Sequence, residues 1–216
     1  MHVQSIADIY LTMKPTMQTE TGGLSRRSEQ TRSTIIVTAR NLFAQKGRKN
    51  VSMSDLAQAA GKGRRTLYSY FDSMDQIYKA VIEQEINSIY EHVLAAYDPS
   101  RPPRDCLREC MLAHLDAVKA VVTRNGSLRN DFFRDIYLVE RSRRRVDNLE
   151  IQLFKQILQN GVRSLTFLPM NIDMSATILF YALKGIEVPY IRQSISTYFE
   201  GNKHIVVDFI LRGIMR

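Results

Sequence analysis

Apolar residues recur at helical spacing along nearly the whole chain, and no segment alternates apolar and polar positions as a half-buried strand would. Ile35, Ile36, Ala39, Leu42 and Phe43 form one buried stripe that stops at Gly47. Ser52, with Asp55 three residues on, reads as the N-cap of a short second helix, whose apolar edge is Leu56, Ala57 and Ala60. Gly61 supplies the positive φ that ends it, and Leu67, Tyr70 and Phe71 form the facing edge of a third. Ser73 and Gln76 make a capping box for a fourth helix through Ile77, Val81, Ile82, Ile86, Ile89 and Val93 to about Tyr97. That helix is predicted at about 24 residues, or roughly 36 Å.

Prolines 99, 102 and 103 break the chain and favour a new start, with helix five running to about Arg124. Asn125-Gly126 interrupts it. A helix from Ser127 to Tyr137 follows, then a long one marked by Val146, Leu149, Leu153, Phe154, Ile157, Leu158 and Val162, its end loosened by Gly161. Asp173 to about Val188, closed by Pro189, and Lys203 to Met215 complete about nine helices. The expectation is an all-α chain: residues 1–23 a disordered arm, 24–80 a helix-turn-helix head, and 81–216 a larger helical domain.

On the third helix the outward positions are Arg64, Arg65, Thr66, Tyr68 and Ser69. A guanidinium can pair bidentately with guanine, and hydroxyls suit phosphate oxygens. Taken alone, this is equally a helical hairpin with a solvated arginine pair. Three stretches add context: Ala39 to Gly47 (ARNLFAQKG), Val51 to Gly61 (VSMSDLAQAAG) and Thr66 to Ser73 (TLYSYFDS). Over the segment from Thr31 to Val81 the chain resembles the tetracycline-repressor (TetR) family of bacterial regulators, and the T-L-Y-x-Y-F element is the specific part. The resemblance implies DNA contact by Ser52, Lys62, Arg64, Arg65, Thr66, Tyr68, Ser69 and Tyr70. The chain departs from the family pattern after the turn glycine, where Lys62, Gly63 and Arg65 stand. Met74 replaces a common lysine, a phosphate contact that Lys62, Arg65 and Lys79 could supply instead.

Charge agrees with that assignment. Residues 24–80 hold 11 Lys and Arg against 4 Asp and Glu, whereas residues 81–216 hold 18 against 16, within a total of +8 over 216 residues. A polyanion would dock on the head.

The last two helices are apolar over much of their circumference: Ile178, Leu179, Ala182, Leu183 and Ile186 on one, and Ile205, Val206, Val207, Phe209, Ile210, Leu211 and Ile214 on the other. Each therefore needs two buried faces. The resemblance implies a homodimer through these helices, the alternative being a central helix in a monomer. It also locates a small-molecule effector among the middle helices. Candidate lining residues are Met111, His114, Leu115, Phe133, Tyr137, Phe154, Ile157, Phe180 and Tyr181, all equally suited to plain core packing, and their character points to an apolar or amphipathic molecule.

Cys106, Cys110 and His114 follow one helix face at i, i+4 spacing. The first and third lie about 12 Å apart along the axis, too far to share one ion, so neither a metal nor a cofactor is expected. The two cysteines read as small buried hydrophobes. The run from Glu140 to Asp147 reads as a solvated, ion-paired face. The sequence contains no G-x-S-x-G, phosphate-loop or H-E-x-x-H motif and no grouping of its 4 histidines, which argues against an enzyme. No secretory leader or membrane span is expected either, which suggests a cytoplasmic regulator, most simply a repressor released from its operator by the effector. The competing reading is a DNA-binding architectural protein without an effector.

Overall fold

The computed structural model describes residues 26–126, 135–191 and 196–216. The expected arm and Phe133 lie outside them. Among the described residues there are eight α-helices and no strand: α1 Arg26–Lys46, α2 Met53–Ala59, α3 Arg64–Tyr68, α4 Met74–Ala96, α5 Pro103–Arg124, α6 Ile136–Arg163, α7 Ile172–Ile191 and α8 Ser196–Arg212. The chain divides into two compact units: residues 1–86 with 123–143, and residues 87–122 with 144–216.

In the first unit, α1 buries Ile35, Ile36, Ala39 and Phe43, the stripe read from its periodicity, and ends at Gly47 with φ 77°. Phe43 meets Tyr78 of α4 edge-on, with ring centroids 6.3 Å apart. The guanidinium of Arg48 lies 4.0 Å from the centroid of that same Tyr78 ring. It also pairs with Asp75, and with Asp135 at 3.2 Å. The buried carboxylate of Glu85 accepts from Arg124 Nε at 2.7 Å and from Asn125 Nδ2 at 2.5 Å. Two contacts distant in sequence, at Arg48 and at Glu85, thus tie residues of 123–143 into this unit.

In the second unit, Val146, Leu149, Leu153, Phe154, Ile157 and Leu158 of α6 are all buried, as their spacing requires. Gly161 has a steric role rather than a loosening one: a Cβ there would lie 2.0 Å from the Phe167 ring. The chain turns back over this glycine, whose carbonyl accepts from the N–H groups of both Thr166 and Phe167, at 2.8 and 3.1 Å. An isolated antiparallel bridge then joins Phe167 to Met215.

Three boundaries differ from the periodicity reading. Tyr137 lies in the first turn of a 28-residue helix instead of ending a short one. Helix α7 continues through Pro189 to Ile191, three residues past the expected end. Helix α8 starts at Ser196 and stops at Arg212, which frees Met215 for its bridge. Asp147, expected on a solvated face, is buried and accepts from Lys184 at 2.7 Å.

Candidate nucleic-acid interface

Local hydrogen bonds build the turn between α2 and α3. At the start of α2 the N–H of Asp55 donates to Ser52 Oγ at 3.2 Å, while the Asp55 carboxylate accepts from the Ser52 N–H and hydroxyl at 2.9 and 2.6 Å. The Ser52 contacts, hydroxyl first, hold the Asp55 carboxyl below its usual range. At the other end Gly61, with φ 61°, closes a Schellman motif: its N–H donates to Gln58 and the N–H of Lys62 donates to Ala57, at 3.1 and 3.0 Å. Such a motif usually places an apolar side chain where Lys62 stands. The lysine is exposed instead, leaving its charge in solvent beside α3.

Helix α3 is anchored from behind by Leu67, fully buried, and by Phe71 just past its end. The Arg32 guanidinium of α1 covers the Phe71 ring at 4.9 Å. This anchoring presents Arg64, Arg65, Tyr68 and Ser69 to solvent, while Thr66 is half-buried. Among the described residues no carboxylate forms an ion pair with Lys62, Arg64 or Arg65. Three of the expected contacts are engaged within the protein, Ser69 among them, its hydroxyl donating to the Thr66 carbonyl at 2.7 Å. The Ser52 hydroxyl belongs to the cap, and the hydroxyl of half-buried Tyr70 lies 3.0 Å from Ser28 Oγ on α1. At α4, Gln76 N–H donates to Ser73 Oγ at 3.3 Å, but the Gln76 side chain reaches Asp72 instead of Ser73, accepting from its N–H at 3.1 Å.

The second unit gathers Met111, His114, Leu115, Phe154, Ile157 and Phe180 in its interior. Tyr181 does not join them, being 57% exposed on the outer side of α7. Tyr137, 90% exposed, falls in the first unit. Sequence reasoning overlooked the partners of His114. Its Nδ1 lies 2.7 Å from a Glu150 oxygen on α6 and its Nε2 2.7 Å from a Glu187 oxygen on α7, all three side chains being buried. The signal was present, since Glu150 continues the Val146–Phe154 stripe and Glu187 lies one turn beyond Leu183. An acid on an apolar stripe needs a buried partner.

Burial alone would strip the imidazole of its proton, but Glu150 and Glu187 outweigh it and raise His114 to about 10 from an ordinary 6.5. The resulting stabilisation is fully present below the unfolded value and is lost as pH rises through the folded one. Replacing His114 with Gln leaves two carboxylates facing each other in the core and should cost about 3–5 kcal/mol. The stability gap between wild type and variant should shrink as pH climbs from 7 towards 10 in thermal melts. A gap independent of pH would show that the imidazole is not held protonated.

Residues 35–81 match the family model described as bacterial regulatory proteins, tetR family. An uncharacterised HTH-type transcriptional regulator of Mycobacterium tuberculosis (strain CDC 1551 / Oshkosh), MT1294, is 33% identical over 70 residues, 32% of this chain and 35% of that protein. Another, YvaF of Bacillus subtilis (strain 168), is 46% identical over 52 residues, 24% of this chain and 27% of that protein. The chain thus matches only about a third of the length of these curated relatives. A transcriptional regulator from Cytophaga hutchinsonii shares the fold with a TM-score of 0.71 at 20% identity, covering 85% of this chain and 98% of that one. Residues 35–81 thus carry the N-terminal domain of the bacterial regulatory proteins of the tetR family.

Proposed function

We propose that the protein is a sequence-specific DNA-binding transcriptional regulator: a cytoplasmic homodimer that represses from its operator and is released by a small apolar or amphipathic effector. The observation that carries the DNA-binding reading is the solvent-facing set Lys62, Arg64, Arg65 and Tyr68 on a helix locked from behind by Leu67 and Phe71. A guanidinium on a rigid helix docks in a major groove without further backbone ordering, and its planar fork, which can read guanine bidentately, loses less freedom per hydrogen bond formed than a lysine does. Lys62, at the turn, suits a phosphate.

Arg65→Ala should lose roughly 1–3 kcal/mol of specific affinity and relax preference at one position of each half-site. Lys62→Ala should weaken all sequences alike and flatten the salt dependence. Tyr68→Phe should fall between the two. Titration against a selected operator and a scrambled duplex at two salt concentrations separates these outcomes. Unchanged operator affinity in both Arg65→Ala and Tyr68→Phe would remove α3 as the reading helix.

Helices α7 and α8 pack on each other, and their outer faces support a dimer. Met174, Ile178 and Tyr181, at i, i+4 and i+7, are 62%, 60% and 57% exposed, and Ile205 and Phe209 on α8 are 55% and 75% exposed. A second copy would cover this apolar strip and bring two reading helices to one palindromic site. Phe209→Glu and Ile178→Asp should each shift the protein towards monomer in sedimentation and weaken operator binding. A monomeric wild type at micromolar concentration would overturn the assembly.

The effector reading rests on the second unit combining an apolar interior with the polar His114 cluster, the mixture from which selective small-molecule sites are made. A compound that binds only one state must raise the melting temperature and lower operator affinity through the same coupling free energy. A broad ligand panel that moves neither quantity would leave the architectural reading in its place.

A further inference from the structure

Helix α6 ends in a Schellman motif: the N–H of Leu165 donates to the Val162 carbonyl at 3.2 Å, and that of Thr166 to the Gly161 carbonyl at 2.8 Å. The residue just past such a helix end needs a positive φ, which glycine adopts freely and a residue with a Cβ does not. Leucine stands there, at φ 59°, and among the described residues no other residue except glycine has a positive φ. Its side chain is 65% exposed. Leu165 is therefore unfavourable twice over, in its backbone and in the apolar surface it leaves in water. A glycine would close the same turn without either cost, so the reason for the leucine lies outside the turn.

The surroundings hold that leucine in place. Phe167 is buried against Gly161, and its bridge to Met215 is flanked by two backbone bonds: Leu168 N–H to the Ile214 carbonyl at 3.0 Å, and Arg216 N–H to the Thr166 carbonyl at 3.3 Å. Alternation along this short extended pair puts Phe167 and Met215 on the inner side, so Thr166, Leu168, Ile214 and Arg216 share the outer one. Leu168, 43% exposed, stands opposite Ile214 across the pair. Charge here is of one sign. Residues 156–172 and 209–216 contain no Asp or Glu but hold Arg163, Arg212 and Arg216, all exposed. Among the described residues no carboxylate pairs with any of the three, and Asp173, the next acid along the chain, is engaged by Lys155 at 2.7 Å.

We propose that Leu165, Leu168 and Ile214, with Arg163, Arg212 and Arg216 beside them in the chain, form a docking surface for an acidic segment of a partner protein. That segment interleaves Asp or Glu with apolar side chains. Charge complementarity names the occupant: guanidinium groups pair bidentately with carboxylates, and the leucines cover apolar side chains between them. A second copy meeting the same patch by two-fold symmetry would set arginine against arginine. A phosphate backbone offers the arginines a partner but the leucines none. Because the turn fixes Leu165 before anything docks, its backbone loses no further freedom on binding, which makes it the anchor of the surface.

The test uses the full chain and no DNA, so its outcome is independent of the regulator reading. A display library of random dodecapeptides is selected on the wild-type protein after depletion on Leu165→Gly. Enriched sequences should interleave Asp or Glu with Leu, Ile or Phe, and the best of them, made as a labelled synthetic peptide, should bind more weakly as salt rises. Leu165→Gly should weaken that peptide by about tenfold or more while raising the melting temperature, because glycine relieves the positive φ. Arg163→Gln combined with Arg212→Gln should weaken it comparably and leave the melting temperature where it was. Opposite signs on binding and stability separate a docking residue from one that serves the fold. No enrichment, enrichment of basic or neutral sequences, or equal affinity for wild type and Leu165→Gly would each overturn the proposal. So would a lower melting temperature for Leu165→Gly, or tighter binding to phosphatidylglycerol vesicles than to any selected peptide.

Discussion

The buried His114, 2.7 Å from a carboxylate oxygen of Glu150 and of Glu187, constrains the second unit more tightly than its apolar contacts do. Moving each charge out of water costs several kcal/mol, and only a partner at hydrogen-bond distance recovers it. The apolar neighbours Met111, Leu115 and Phe154 would tolerate a slight slide of one helix along another; Glu150–His114–Glu187, with both separations at 2.7 Å, would not. The cluster therefore fixes the rotation of α7. With Glu187, Leu183, Phe180 and Ala176 turned inward, helical geometry leaves Met174, Ile178 and Tyr181 on the opposite side. The exposed apolar strip is thus the reverse side of the face that carries Glu187.

The head was the most legible part of the chain, because its instructions are local. Gly47, Gly61 and the Ser52–Asp55 cap each act over four residues or fewer, so spacing reveals them, and the structure carries all three. What escaped the sequence is contact at long range. Nothing near Tyr70 in the chain points to Ser28, 42 residues earlier, and nothing near Arg48 points to Asp135, 87 residues later. Tyr137 and Tyr181 are aromatic residues in the middle of the chain, a property blind to which side of a helix meets solvent. The six candidates that did come together share the interior side of α5, α6 and α7, where periodicity was informative. The spacing of His114 on its own helix points to Cys106 and Cys110, whereas its partners lie on two other helices, 36 and 73 residues away along the chain.

Charge in the first unit has an arrangement that the net excess does not convey. Several of its described carboxylates are engaged in structural contacts: Asp55 at the α2 cap, Asp72 with Gln76, Asp75 and Asp135 with Arg48, and Glu85 with Arg124. Glu83 lies 3.8 Å from Lys79 on the exposed side of α4. None of these partners is Lys62, Arg64 or Arg65. Acid drawn into caps and buried pairs can no longer offset the cations at the turn and on α3, so the local field there exceeds what the composition of the unit implies. Such a field makes the turn and α3 the place where a phosphate backbone lowers its free energy most, by releasing counterions. The same bonds that hold the head together also keep its reading surface positive.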